Sequence, residues 1–257
     1  MAVKRILFLL ADLVLLSAQL CTEIPNPGSL KQIDAGNGLV VGVEPTGNAF
    51  MLNGEDWLYL AGNMKHVTSG VSGVWMVDND NNVYKMIAGN LVNVPGFFHL
   101  IDAGGDHFVA GINSENETRC LSHSELVALR PNSSVSWTYM DARLRYFSCG
   151  QKSCWGVNAV NDVVFRKGIE PLRSCKGNSW NNIPSKFYMV EVGNDGSVYG
   201  AKPDGSVYRR DGFDTNHPAG TKWTKLTDIT ARVSHLSYDM NILWLITKDN
   251  RILRCQL

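Results

Sequence analysis

The chain has 257 residues with 24 Lys+Arg against 24 Asp+Glu, so its formal net charge is zero, which argues against a nucleic-acid binder. A hydrophobic fraction of 44%, 24 Gly, 7 Trp and only 19% charged residues exclude a disordered chain and point to a turn-rich β architecture.

Residues 1–20 read as a secretory signal peptide: Lys4 and Arg5 form a basic start, Ile6 to Leu16 is an apolar run broken only by Asp12, and Ser17 and Ala18 place cleavage between about Ala18 and Leu20. A lipoprotein anchor at Cys21 is the rival reading, which the large Leu20 opposes. No later stretch approaches the ~18 apolar residues a bilayer span needs, so the mature protein is expected to be soluble, secreted and extracellular. Its six cysteines, an even number in an oxidising compartment, predict three disulfides. Asn116 (Asn-Glu-Thr) and Asn132 (Asn-Ser-Ser) are glycosylation candidates.

From residue 30 onward a repeat governs the chain. Its anchor is a β-branched or aromatic residue followed three positions later by Gly: Ile33 to Gly36, Val67 to Gly70, Ile101 to Gly104, Phe147 to Gly150 and Val190 to Gly193, with a degenerate sixth copy near Val233 to His235. After each anchor come two apolar runs around a polar tip: Leu39 to Leu52, Val74 to Met86, Phe108 to Leu121, Cys154 to Arg166, Val198 to Arg209 and Leu243 to Cys255. These read as β-hairpins, and Asp204-Gly205 and Asp249-Asn250 tolerate the left-handed backbone of their turns. Trp57, Leu91, Trp137, Trp180 and Trp223 stand ten residues before Val67, Ile101, Phe147, Val190 and Val233, and start a further strand. The segment Cys21-Thr-Glu-Ile-Pro25, twelve residues before Ile33, fits the same frame.

Each unit therefore holds about four strands, and the expected fold is an all-β, six-bladed β-propeller of four-stranded blades. Residues 21–257 form one domain of units at about 30–60, 64–96, 98–140, 144–184, 187–226 and 230–257, the last completed by 21–25, so that the N-terminal strand closes the ring. Strand adjacency predicts a Cys21–Cys255 disulfide, the loop between Cys149 and Cys154 predicts a second, and elimination leaves Cys120–Cys175. All seven tryptophans fall on two repeat positions, the register of packing between blades; a carbohydrate-stacking role for one or two is the alternative.

The six histidines show no metal-binding spacing, no Cys-x-x-Cys and no nucleophile elbow occur, and no Gly-rich loop precedes a helix, because the mature sequence holds no convincing amphipathic helix. No catalytic or metal site and no cofactor is therefore assigned, and no loop carries an oxygen-ligand spacing that would assign calcium. The candidate binding residues are the Asn- and Asp-rich hairpin tips, which offer the planar hydrogen-bonding groups a sugar needs: Asp78, Asp80, Asn81, Asn158, Asp162, Asp204, Asp249 and Asn250. Turn formation alone also explains such residues, and the loops after the anchors, such as Gly105 to His107 and Asn194 to Gly196, are the rival location on the opposite face. A glycan on Asn116 would obstruct the third tip, and residues 122–136 are an insertion in the third unit.

Val190-Glu-Val-Gly193, Gly196-Ser-Val-Tyr-Gly200, Val207-Tyr-Arg-Arg210 and Trp223 resemble the tectonin repeat, and a signal peptide before six such units is similar to the fish-egg lectins. The likeness covers the whole mature chain, and units one, three and six depart furthest from the pattern. It implies a secreted, non-enzymatic lectin for sugars such as N-acetylglucosamine or galactose and for bacterial lipopolysaccharide, in egg or innate-immune settings. Partners would be carbohydrates, bacterial surface glycans and glycoproteins, with several sites on one disc, or a homodimer, raising avidity. Two rivals from other classes remain: an extracellular protein-binding or egg-envelope module, and a glycosidase needing two acids about 5 to 9.5 Å apart.

Overall fold

Runs of Val, Ile, Tyr and Trp alternating with small or polar residues fold into antiparallel strands joined by tight turns in a computed structural model that describes residues 20–131 and 133–257. The expected signal peptide, Leu20 excepted, and Asn132 lie outside the described residues. After β1 (Cys21–Ile24) come β2 (Gln32–Gly36), β3 (Leu39–Val43), β4 (Ala49–Asn53) and β5 (Asp56–Ala61), paired in that order. A seven-stranded sheet follows: β6 (Met64–Gly70), β7 (Gly73–Asp78), β8 (Asn82–Ile87), β9 (Asn90–Asp102), β10 (Val109–Asn113), β11 (Glu117–Leu121) and, beyond helix α1 (His123–Ala128), β12 (Trp137–Arg143). Two four-stranded sheets succeed it. One holds β13 (Tyr146–Cys149), β14 (Cys154–Val157), β15 (Asp162–Lys167) and β16 (Ser179–Lys186), the other β17 (Met189–Val192), β18 (Val198–Ala201), β19 (Val207–Asp211) and β20 (Lys222–Lys225). In the last sheet β21 (Val233–Asp239), β22 (Ile242–Thr247) and β23 (Ile252–Gln256) are completed by β1.

The expected break between the second and third units falls inside β9. Residues Asn90 to Phe97 pair with β8 and Phe98 to Asp102 pair with β10, so one strand is the outer edge of one hairpin set and the inner edge of the next. Gly96 makes the passage: its φ is 151°, and a Cβ there would strike the Phe98 ring and the Trp137 indole. The sixth anchor also lies elsewhere than expected. Thr68, Ser148 and Ser237 stand opposite Trp75, Trp155 and Trp244, so the sixth copy is Leu236 to Asp239, thirteen residues after Trp223.

β1 closes the structure on β23 in full register, from Cys21 opposite Cys255 to Ile24 opposite Ile252. The Cys21–Cys255 disulfide joins positions 234 residues apart with Cα atoms 3.9 Å apart, a closure worth about 5 kcal/mol in the chain-entropy model. Cys149–Cys154 clamps the β13–β14 turn, and Cys120–Cys175 ties β11 to the connection between β15 and β16. The apolar cores lie between neighbouring sheets: Ile33, Val40, Trp244, Ile246 and Ile252 are buried together where the first sheet meets the last. Contrary to the expectation of no helix, the 122–136 insertion holds the six-residue α1 behind a Ser122 cap whose Oγ accepts from Glu125 N; none of its residues is buried, so it lacks the apolar face that periodicity detects.

The inner strands pack edge to edge, β2 against β6 and β21, β9 against β6 and β13, and β17 against β13 and β21. This closeness explains the anchor glycines. A Cβ on Gly36, Gly70 or Gly104 would collide with the carbonyl of Ser69, Ala103 or Cys149 on the next inner strand.

Candidate functional site

The eight tip residues are spent unequally on their own turns. Asp78 is buried; its Oδ1 accepts from Asp80 N (2.9 Å) and Asn82 N (2.8 Å), and its Oδ2 from Asn82 Nδ2 (2.8 Å) and Tyr84 OH (3.2 Å). Asn81 holds a left-handed backbone, its carbonyl accepting from Phe98 N and its side chain from Lys65. Asn158 Oδ1 accepts from Val160 N and Asp162 N, and Asp162 is paired with Lys186 at 2.6 Å, which holds its carboxyl below the usual range. Asn250 is left-handed, and its carbonyl accepts from Asn26 Nδ2.

Asp80, Asp204 and Asp249 are the exposed acids of these tips. Asp204 accepts from Ser206 N and Oγ, which lowers its pKa, and lines a cavity of about 390 Å³ with Gly205, Lys225 and Arg232. Asp249 is bound by Arg251 at 2.9 Å. The tips stand on separate sheets, and each is built around its own Asx-type turn. Asn116 is exposed at the β10–β11 tip, with φ 63°.

The opposite face carries a different construction, at the loops the sequence reading held as the rival location. Between the β17–β20 sheet and the β21–β23 sheet lies a cavity of about 550 Å³ lined by Asp195, Gly196, Arg209, Phe213, Tyr238 and Asn241, among others. Asp195 Oδ1 accepts from Ser197 N (2.8 Å), and its Oδ2 from Ser197 Oγ (3.0 Å) and Tyr238 OH (3.1 Å). Burial and the Asp195 carboxylate raise the Tyr238 phenol pKa, so it stays a donor. Arg209 Nε binds Asp211 at 2.7 Å, which balances its charge.

One seam further round, a cavity of about 400 Å³ is lined by Lys152, Phe165, Lys167, Asp195, Gly196 and Phe213, among others. The two cavities thus share Asp195, Gly196 and Phe213, a residue 41% exposed. An exposed ring beside fixed polar groups is what the weakly apolar face of a sugar needs. Phe213 lies off the repeat positions that spacing picks out, on the β19–β20 connection, whose counterpart between β15 and β16 is held alike: Arg166 and Arg210 each donate to a carbonyl of their loop, at Lys176 and Ala219.

Sequence reasoning also placed the acids mostly at the tips, whereas three converge on the axis. Asp34, Thr68, Asp102, Ser148, Glu191 and Ser237 form an alternating ring of acid and hydroxyl on the six inner segments, all buried. Several bond to the next strand's backbone: Ser69 N donates to Asp34 Oδ2 (2.7 Å), Ala103 N to Thr68 Oγ1 (3.0 Å), Cys149 N to Asp102 Oδ1 (3.3 Å), Val192 N to Ser148 Oγ (3.1 Å) and Ala35 N to Ser237 Oγ (2.9 Å). Burial, then the Asp34 charge, pushes Asp102 up to about 8 and Glu191 well above its ordinary value. Burial lowers His66 to about 3, with His235 adding to the shift, and His235 itself to about 4.

Six of the seven tryptophans are buried or tied to a neighbouring strand by an indole hydrogen bond. Trp75, Trp155 and Trp244 are buried, and the indoles of Trp57, Trp137 and Trp180 donate to the carbonyls of Pro25 (2.8 Å), Pro95 (2.8 Å) and Met140 (2.6 Å) on the preceding outer segment. Arg166 and Arg210 cover Trp180 and Trp223.

Among solved structures, a chain of a mitotic checkpoint complex is similar over 99% of both chains (TM-score 0.58, 11% identity), and human WBSCR16 over 91% of this chain and 88% of its own (TM-score 0.57, 8% identity). At such identities the likeness concerns the β-propeller fold alone. The Tectonin domain model matches residues 29–248, and the fish-egg lectin of Cyprinus carpio is 37% identical over 235 residues, 91% of this chain and 98% of that protein. The chain, a disulfide-bonded β-propeller of lectin type, belongs to the tectonin family together with the carp fish-egg lectin.

Proposed function

We propose that the protein is a secreted, non-enzymatic lectin that binds N-acetylglucosamine- and galactose-type sugars and, through them, bacterial lipopolysaccharide and other surface glycans. The observation that carries this reading is the 37% identity with the carp fish-egg lectin across nearly all of both chains. Six blades, with the seven-stranded sheet counted as two units sharing β9, fit the closed packing of the inner strands. Residues 1–20 act as the signal peptide of this reading, and Asn116 and Asn132 as its glycan sites.

The principal binding surface is the seam on either side of Phe213, where a ring and fixed hydrogen-bonding groups meet in open cavities. The tips of Asp80, Asp204, Asp249 and Asn250 serve as secondary contacts, and Asp78, Asn81, Asn158 and Asp162 shape the tips that carry them. Weak single contacts gain by avidity when several sites, or two copies of the chain, meet a repeating glycan, by ~10²- to 10⁴-fold. The test is retention of the disulfide-intact protein on immobilised N-acetylglucosamine, galactose and lipopolysaccharide, with elution by free sugar. Flow-through on all three and on a broad glycan panel would remove the lectin reading.

A further inference from the structure

The two cavities beside Phe213 share a plan and differ in charge. In the first, Arg209 is neutralised by Asp211, and Arg210 is turned inward, its Nε donating to Ala219 O (2.8 Å) and its Nη2 to Gly220 O (2.9 Å). In the second, the charged groups are Lys152, Lys167 and the shared Asp195. Both Asp195 oxygens accept from the neutral donors of Ser197 and Tyr238, so its charge remains and the lining carries two cations against one carboxylate. Among the described residues neither lysine makes an ion pair, whereas Lys176 and Lys186 are paired with Asp141 and Asp162.

Both lysines stand on rigid supports. Lys152 lies in the turn clamped by Cys149–Cys154, where Gly150 N donates to Ser153 O (2.9 Å). Lys167 ends β15 opposite Ser179, and its carbonyl accepts from Asn178 N (2.8 Å). The fixed backbone thus brings two exposed, unpaired cations to one cavity, and ordering their flexible stems is the entropic cost that an anionic group bound there must offset.

We propose, resting on the lectin reading of these cavities, that the β13–β16/β17–β20 seam is an acidic-saccharide subsite. Lys152 and Lys167 take the carboxylate or phosphate of one sugar residue, Phe213 stacks at the boundary, and a neutral sugar occupies the neighbouring cavity. The glycan recognised is then one in which a neutral residue adjoins a negatively charged one.

Titration calorimetry at low salt tests this on the intact protein with two matched pairs. N-acetylglucosamine 6-phosphate against N-acetylglucosamine probes phosphate, and a hyaluronan tetrasaccharide against chitotetraose probes carboxylate. Each charge-assisted contact at a solvent-open site predicts a preference for at least one anionic member of about fivefold or more, shrinking as salt is raised. The preference falls to about one in the K152Q/K167Q variant and survives in K152R/K167R, which keeps the charge and reports on folding. Equal affinity for neutral and anionic members in the wild type overturns the subsite and leaves the lectin reading standing. A preference that persists in K152Q/K167Q overturns it as well, by placing the cation elsewhere. If no probe of either kind binds, the lectin reading of the seam fails and the subsite with it.

Discussion

The indole N–H of Trp57 donates to the carbonyl of Pro25 at 2.8 Å, tying β5 of the first sheet to the residue that follows β1 in the last. The same bond recurs from Trp137 to Pro95 and from Trp180 to Met140, so each of these outer strands is hooked to the one before it. Trp57→Phe keeps the ring and deletes the donor, and is expected to cost about 1 kcal/mol in urea unfolding. Removing the Cys21–Cys255 bridge, which joins β1 to β23 within the last sheet, is expected to cost several times more, up to about 5 kcal/mol, because it frees a loop of 234 residues in the unfolded state. A C21S/C255S loss no larger than that of W57F would mean that strand pairing of β1 with β23 alone holds the closure.

The anchor glycine is a packing requirement between inner strands. At Gly70 a Cβ would drive into the Ala103 carbonyl, which is backbone and has no rotamer to escape into. Gly54 sits in an exposed turn with φ 68° and open space around its missing Cβ. Gly54→Ala is expected to cost about 1 kcal/mol for left-handed strain, and Gly70→Ala about 3 kcal/mol or more. Equal thermal shifts would sink this account of the repeat.

Much of this architecture is legible in spacing: the Trp and anchor positions recur because they sit at fixed places on successive sheets, and the closing strand is visible as Cys21 to Pro25. What was hidden is whatever spacing does not encode. The shift of the sixth anchor to Leu236 follows from a longer connection over 226–232, and β9 runs through because Gly96 lets the backbone turn without leaving the sheet. At the tips, the same Asp and Asn types that bind sugars also close Asx turns, so residue identity could not separate Asp78, consumed by its turn, from the exposed Asp204. The seam cavities are assembled from loops of two sheets, and only three-dimensional proximity joins Lys152 to Phe213.

The axial ring makes stability pH-dependent in a definite direction. Asp102 has its folded pKa raised to about 8 by burial, so between its ordinary value near 3.8 and about 8 the folded state binds more protons than the unfolded one. That contribution is fully present below the unfolded pKa and is lost as pH rises through 8. His66 and His235, lowered to about 3 and 4 from 6.5, act oppositely: their contribution is present above 6.5 and is lost as pH falls through the folded values. Asp102→Asn keeps a carbonyl oxygen for Gly104 N and Cys149 N without the ionisation. The wild type's stability relative to D102N is therefore expected to be greatest at or below about pH 4 and to decline steadily as pH rises to 8 in urea titrations. A difference independent of pH would show that Asp102 is already ionised in the folded protein.

The location of sugar binding separates cleanly by mutation, because the two faces use different residues. Phe213 is exposed, so Phe213→Ala removes a stacking surface at little expected cost to folding, and a sugar ring stacked on an aromatic is worth roughly 1 kcal/mol. Affinity for the best monosaccharide is expected to fall about fivefold or more in F213A, with the unfolding midpoint unchanged. Asp204→Ala and Asp249→Ala alter exposed tips and are expected to change affinity by less than about twofold, the range of a secondary contact. Asp78→Ala should do the reverse of F213A: four hydrogen bonds to a buried carboxylate disappear, so stability drops by about 2 kcal/mol or more while seam binding persists. Wild-type affinity in F213A together with loss in D204A would move the principal site to the tips, where an acid at the head of a turn, and no aromatic ring, would hold the sugar.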